Sequence, residues 1–394
     1  MMRWAHMKKQ LVMIILAALV ATVLSGCWNR AELPEKGFVM GVAIDKTDEG
    51  KFKLTTQIYK PAQKTSTQGG GSALSYVIIE TEDETLFEAV RDITIQVGRR
   101  AQWAHMRVIL LGEDVVRKED IGSVLEYFYR DHEARLTTKV QITRGKAGGY
   151  MKVKPKIEQT VSQQMNRIQK AVARNSGKTT DINLLRLAHY LKSEVPNVAI
   201  PLASRAKDSQ SSIPIAGAAM IKKGKMIGSL SGKSMESLTM LTNQYRKGVL
   251  QFMPVPSEKD EIQGVENIEV EEVRTNWKLA IEGDAVRAVL KVNVVGNIGE
   301  LKYTKLETRE DELKLRMQVQ QSVKNQLHKI ISLLQKKRID LLDLGNRIYR
   351  EKPQLWKKWK PDWERRFAES KFDIEVSVDL KSTLTTIGKP FQSR

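Results

Sequence analysis

A single cysteine, Cys27, and five histidines among 394 residues bound the chemistry open to this chain. One thiol allows no intrachain disulfide, no CxxC redox pair and no cysteine-based zinc cluster. The histidines are dispersed, and none lies in an HExxH, HxH or HxxxH pattern, so no metal site and no cofactor is expected. Gly228-Ser229-Leu230-Ser231-Gly232-Lys233-Ser234 approaches a phosphate-binding loop. That motif needs four residues between its glycines and three stand here, so a polar loop after a strand is the expectation. Arg130-Asp131-His132-Glu133-Ala134-Arg135 is a charged run just past an expected helix end. It reads either as a solvated terminus with ion pairs worth ~1 kcal/mol or less each, or as a polar network toward a partner or a neighbouring domain. No nucleophile–base spacing and no GxSxG elbow is present, so no catalytic residue is assigned.

Cys27 stands at the end of a processing signal. Arg3, Lys8 and Lys9, with no acid, precede an apolar run from Leu11 to Leu24 and then Ser25-Gly26. At 1.5 Å per residue that run spans about 21 Å as a helix, short of the ~30 Å hydrocarbon core, so residues 1–26 read as a signal peptide rather than a stable span. Leu24-Ser25-Gly26-Cys27 resembles the bacterial lipobox, which implies cleavage before Cys27 and an S-diacylglyceryl thioether there, open to N-acylation. Two acyl chains give stable anchoring where one gives only reversible binding, at ~0.8 kcal/mol per buried CH₂.

These residues must be positioned by elements that the pattern also predicts. Phe38 to Ile58 reads as a hairpin, Tyr76 to Ile79 as a strand, Thr85 to Val97 as a helix ending at Gly98, and Met106 to Leu111 as a buried strand. A helix is expected over 114–130 and a strand over 138–143. Further on, helices are expected over 157–173 and 182–191, a hairpin around Lys222-Lys223-Gly224-Lys225, and strands over 265–272, 275–281 and 285–295. A long helix over 307–337 and a strand over 372–380 complete the pattern. Trp356, Trp359, Trp363 and Phe367, spaced 3, 4 and 4, are expected to share a core-facing side with lysines and arginines at the rim. The fold class is α+β, with mostly antiparallel sheets and packed helices. The boundaries are 1–26 for the signal, 27–148 for an N-terminal domain, 149–258 for a basic middle and 259–394 for a C-terminal domain with the long helix. Of the formal charge of +19, residues 145–225 carry +11 and residues 27–144 carry −1. The uneven charge suits a surface held against anionic lipid or an acidic partner, and no nucleic-acid partner is expected.

Taken in order, several stretches resemble the Ger(x)C lipoproteins, the C subunits of nutrient germinant receptors in endospore-forming bacteria. They are Cys27-Trp28-Asn29-Arg30-Ala31-Glu32-Leu33, Gly41-Val42-Ala43-Ile44-Asp45, His105 to Glu113, Tyr129 to Arg135, Gly217 to Gly228, Gly296-Asn297-Ile298-Gly299-Glu300, and Asp343-Leu344-Gly345 with Pro353 and Trp356. Asn29 and Met220 depart from the usual residues of the family. The resemblance implies a non-enzymatic subunit of three mixed α/β domains on the outer face of the spore inner membrane, working with polytopic A and B subunits. It also implies that Trp28, Glu32, His105, Arg130, Asp131 and Arg135 serve structure or partner contact. The alternative is an envelope lipoprotein that captures a small solute or a peptidoglycan fragment.

Overall fold

The computed structural model describes residues 2–24, 36–60, 74–205, 212–254, 264–304 and 306–381. Helix α1 (Met2–Leu24) carries the apolar run, and no helix among the described residues is long and apolar enough to cross a membrane. β1 (Lys36–Lys46) and β2 (Phe52–Tyr59) form the expected hairpin, with Ile44 opposite Leu54, and β3 (Tyr76–Asp83) extends it. α2 (Leu86–Val97) begins where the Thr85 hydroxyl accepts the Glu88 N–H and ends at left-handed Gly98. β4 (Arg100–Gln102), a 3-10 turn (Trp103–His105) and β5 (Val108–Gly112) follow. The helix expected over 114–130 is two helices, α3 (Glu113–Lys118) and α4 (Ile121–Arg130). Asp120 separates them, because its backbone is extended and its carboxylate accepts the Ser123 N–H as a new N-cap.

β6 (Lys139–Thr143), α5 (Gly148–Met151), α6 (Val161–Asn175), α7 (Leu184–Leu191), β7 (Asn197–Ala203), β8 (Ile215–Lys222) and β9 (Lys225–Leu230) complete the first sheet. Its order is β3-β2-β1-β5-β6-β7-β8-β9, with β4 pairing β1. The central strands β1, β5, β6 and β7 run parallel, flanked by antiparallel pairs on both sides. Parallel strands with helices on both faces are buried on both sides, and Val108, Ile109, Leu110 and Leu111 are all fully buried. Ile109 and Leu111 pack with α2, α4 and α7, whereas Val108 and Leu110 pack with α5 and α6, as a period of two requires. The sheet continues past residue 148, since β6 and β7 on either side are neighbours, with Ile142 opposite Leu202.

α8 (Gly232–Leu241) leads to a second sheet of order β10-β11-β12-β13, made of β10 (Gly248–Phe252), β11 (Glu266–Glu282), β12 (Ala285–Ile298) and β13 (Lys371–Lys381). The two strands expected over 265–281 are the single strand β11, because a bulge between Val270 and Glu272 lets the ladder with β12 continue. Between β12 and β13 run α9 (Arg309–Lys336), α10 (Leu344–Glu351), α11 (Pro353–Trp359) and α12 (Trp363–Glu369). A capping box of Thr308 and Asp311 starts α9, and its Leu315, Val319, Val323, Leu327 and Leu334 lie inward at helical spacing. Trp356, Trp359, Trp363 and Phe367 are each at most 5% exposed, so the aromatic face is core. One hydrophobic core joins the two sheets, running from Ala218 and Met220 of β8 through Met235 and Leu238 of α8 to Val270 and Val292. The mixed α/β class with helices packed on sheets is therefore the observed one.

Candidate functional site

α2 and α4 lie side by side over β4, and the gap between them is a cavity of about 800 Å³. Its floor is aromatic. Trp103, 2% exposed, meets Tyr127 edge-on at 5.9 Å and Phe128 at 5.5 Å between ring centres, and Phe87 meets Tyr127 at 5.8 Å. The Arg91 guanidinium lies 5.0 Å over the Phe87 ring. Burial, and the Asp131 carboxylate as a hydrogen-bond partner, push the Tyr127 hydroxyl far above its ordinary range, so it stays protonated.

The charged run after α4 forms the rim. Arg130 is exposed and pairs with Glu126 at 2.6 Å, and Arg100 pairs with Glu133 at 3.1 Å. The Asp131 carboxylate accepts the Glu133 N–H at 2.8 Å and so shapes the turn. An apolar floor with both charge signs at the mouth can hold a small organic molecule through its body and ends. No group of three or more histidine, cysteine, aspartate or glutamate side chains able to hold a metal exists among the described residues.

Of the residues singled out from the sequence, Arg130 and Asp131 line this cavity. His105 does not; it is exposed and stands edge-on to Phe38 at 5.3 Å. Arg135 is exposed, and its carbonyl accepts the Thr138 N–H. Cys27, Trp28 and Glu32 lie outside the described residues. The loop that approached a phosphate-binding motif joins β9 to α8, where the Ser231 hydroxyl accepts the Ser234 N–H as a helix cap. A wider cleft of about 1190 Å³ opens between the two sheets and gathers several of the surplus bases, among them Lys170, Arg174, Arg186, Arg246 and Lys247.

Three buried carboxylates act as fasteners, of which Asp45 lies in a motif stretch. Asp45 accepts the N–H groups of Ala147 and Gly148, both at 2.7 Å, and thereby pins α5 to the end of β1. Asp340 accepts the N–H groups of Leu342, Leu344 and Gly345 and the Trp363 indole N–H, tying α10 to α12. Glu266 accepts three successive N–H groups, from Lys302, Tyr303 and Thr304, and holds the path from β12 to α9. Composition marked none of these; the one available signal was an acid at the end of an apolar run, as in Val42-Ala43-Ile44-Asp45.

With this geometry in view, residues 29–205 match the family model "Spore germination protein N-terminal domain", and residues 216–383 match "Spore germination B3/GerAC like, C-terminal". Among curated proteins, the chain is 26% identical to spore germination protein B3 of Bacillus subtilis (strain 168), over 93% of this chain and 96% of that one. It is 23% identical to spore germination protein KC of the same organism, over 96% and 97%. Its fold is similar to the crystal structure of the GerBC protein, with a TM-score of 0.58 and 22% identity, over 87% of this chain and 97% of that one. The two models between them take in nearly all of the chain after the first helix, and the chain belongs to the Ger(x)C family of spore germination proteins.

Proposed function

We propose that this protein is the C subunit of a nutrient germinant receptor, anchored by lipid at Cys27 to the outer face of the spore inner membrane. In this reading it works without enzymatic activity alongside the A and B membrane subunits to trigger germination. The observation that carries it is the lone cysteine behind a short apolar run, in a chain whose remaining length belongs to a spore germination family. An exported thiol is exposed to oxidation, whereas a thioether is inert, so acylation accounts for why one cysteine is kept. Cys27→Ala is expected to leave the chain unacylated, to release it from the membrane fraction, and to slow nutrient-triggered germination. Normal germination by a soluble, acyl-free variant would overturn the proposal. Recovery of the A and B subunits with the wild-type chain from detergent-solubilised membranes tests the partnership directly.

The aromatic-floored cavity favours a second reading, in which this subunit captures a small solute itself. Saturable binding of a germinant that Trp103→Ala abolishes, measured by calorimetry, is the result expected on that reading.

A further inference from the structure

Ile157 is 91% exposed, more than any other large apolar side chain among the described residues. The loop that presents it is held firmly. The Gln164 side-chain oxygen accepts the N–H groups of Lys156, at 2.6 Å, and Ile157, at 3.3 Å, while the Ser75 hydroxyl donates to the Gln159 carbonyl at 2.9 Å. Lys154 and Lys156 beside it are exposed and form no ion pair among the described residues. Lys152 and Glu158, by contrast, are held by Glu80 at 2.6 Å and Arg167 at 2.7 Å.

The contact with Ser75 places this loop where β2 finishes and β3 starts. Val39 opposes Ile58 in the antiparallel ladder, so β1 also begins at this end of the sheet. β5 begins there too, because Gly41 pairs with Val108 in parallel. Arg107, just before β5, and Arg135, hydrogen-bonded through its carbonyl to Thr138 just before β6, are exposed bases without an ion pair among the described residues. At the opposite end of β1 the exposed acids are matched by bases, Asp48 pairing with Lys146 at 3.6 Å and Glu49 with Lys51 at 3.8 Å.

We propose that the end of the first sheet where β1 begins faces an anionic lipid bilayer, with Ile157 entering the interface between Lys154 and Lys156. This rests on the anchoring of Cys27 argued above. Eight residues lie between Cys27 and Lys36, nine steps that span at most ~30 Å, so the anchor keeps this end close to the headgroups. Attraction to anionic lipid is screened beyond ~8 Å at physiological ionic strength, so only bases held at the surface contribute. An apolar side chain flanked by lysines suits the boundary between headgroups and acyl chains.

The test uses the full, acylated chain reconstituted in vesicles of phosphatidylglycerol and phosphatidylcholine that contain nitroxide lipid. Ile157→Cys and Asp48→Cys variants each receive an environment-sensitive maleimide dye, which an acylated Cys27 cannot take up. β1 is 11 residues long and rises ~3.3 Å per residue, so the two positions lie well apart. The dye at position 157 is expected to shift to the blue and be quenched by the nitroxide, less so in vesicles of phosphatidylcholine alone, while the dye at position 48 stays as in water. Equal behaviour of the two dyes, or an equal shift in neutral vesicles, overturns the proposal while leaving the anchor intact. Labelling of the wild-type chain at Cys27 instead removes the anchor, and this proposal with it.

Discussion

Glu236 is a carboxylate buried to 6% exposure in α8, with the Lys178 ammonium 3.7 Å away. Burial pushes its titration up to about 7, against the pull of Lys178 and Lys233. In the unfolded chain it titrates near 4.5, so the folded state holds the proton more tightly between pH 4.5 and 7. Stability from this group is therefore complete below that window and lost as pH rises through 7. Asp340, raised to about 6 by burial despite its three backbone N–H donors, acts in the same direction at lower pH. Glu236→Gln is expected to stabilise the chain at pH 8 by on the order of 1–3 kcal/mol and to flatten the fall in Tm between pH 5 and 8. Thermal denaturation across that range checks it, and a slope equal to wild type counts against the assignment. Buried carboxylates such as these were not legible beforehand. Asp45 finds its donors 102 and 103 residues further along the chain, and nothing local in Ile44-Asp45-Lys46 signals that convergence.

At the scale of elements, periodicity and turn chemistry were reliable guides where one face of an element is buried. α2 with its Thr85 and Gly98 caps, the β8–β9 hairpin and α9 all follow from local pattern. Local pattern fails where a cap or a bulge decides, as at Asp120 between α3 and α4 and at Val270/Glu272 within β11. The parallel pairing at the centre of the first sheet was also hidden, because a short apolar run such as Val108–Leu111 does not reveal its neighbours. Two glycines in the motif stretches gain a physical reason. A Cβ on Gly345 would stand 2.6 Å from Val195 and 2.7 Å from Trp363, where α10 packs against the connection from α7 to β7 and against α12. Gly217 sits in β8 with φ of 86°, and a Cβ there would collide with the Leu230 carbonyl of β9. Gly345→Ala and Gly217→Ala are each expected to cost about 1–3 kcal/mol, read as a lower midpoint in denaturant with an unchanged slope.

For the molecule as a whole, the two family models meet between β7 and β8, which are antiparallel neighbours in one sheet. Cutting the chain there would leave a bare strand edge on each piece and divide the core that runs through α8. Separate expression of residues 28–210 and 211–394 is expected to yield aggregates, and co-expression a soluble complex that elutes together from a sizing column. Two independently soluble, monomeric pieces would show that the shared core is dispensable. The position of β1 has a mechanical consequence as well. Its ladder with β2 on one side and with β4 and β5 on the other runs parallel to a pull applied at Lys36 along the strand axis. Such a load strains many hydrogen bonds at once in shear instead of opening them one by one, so drag on a tether at this point would shift the whole body before it unravelled the sheet.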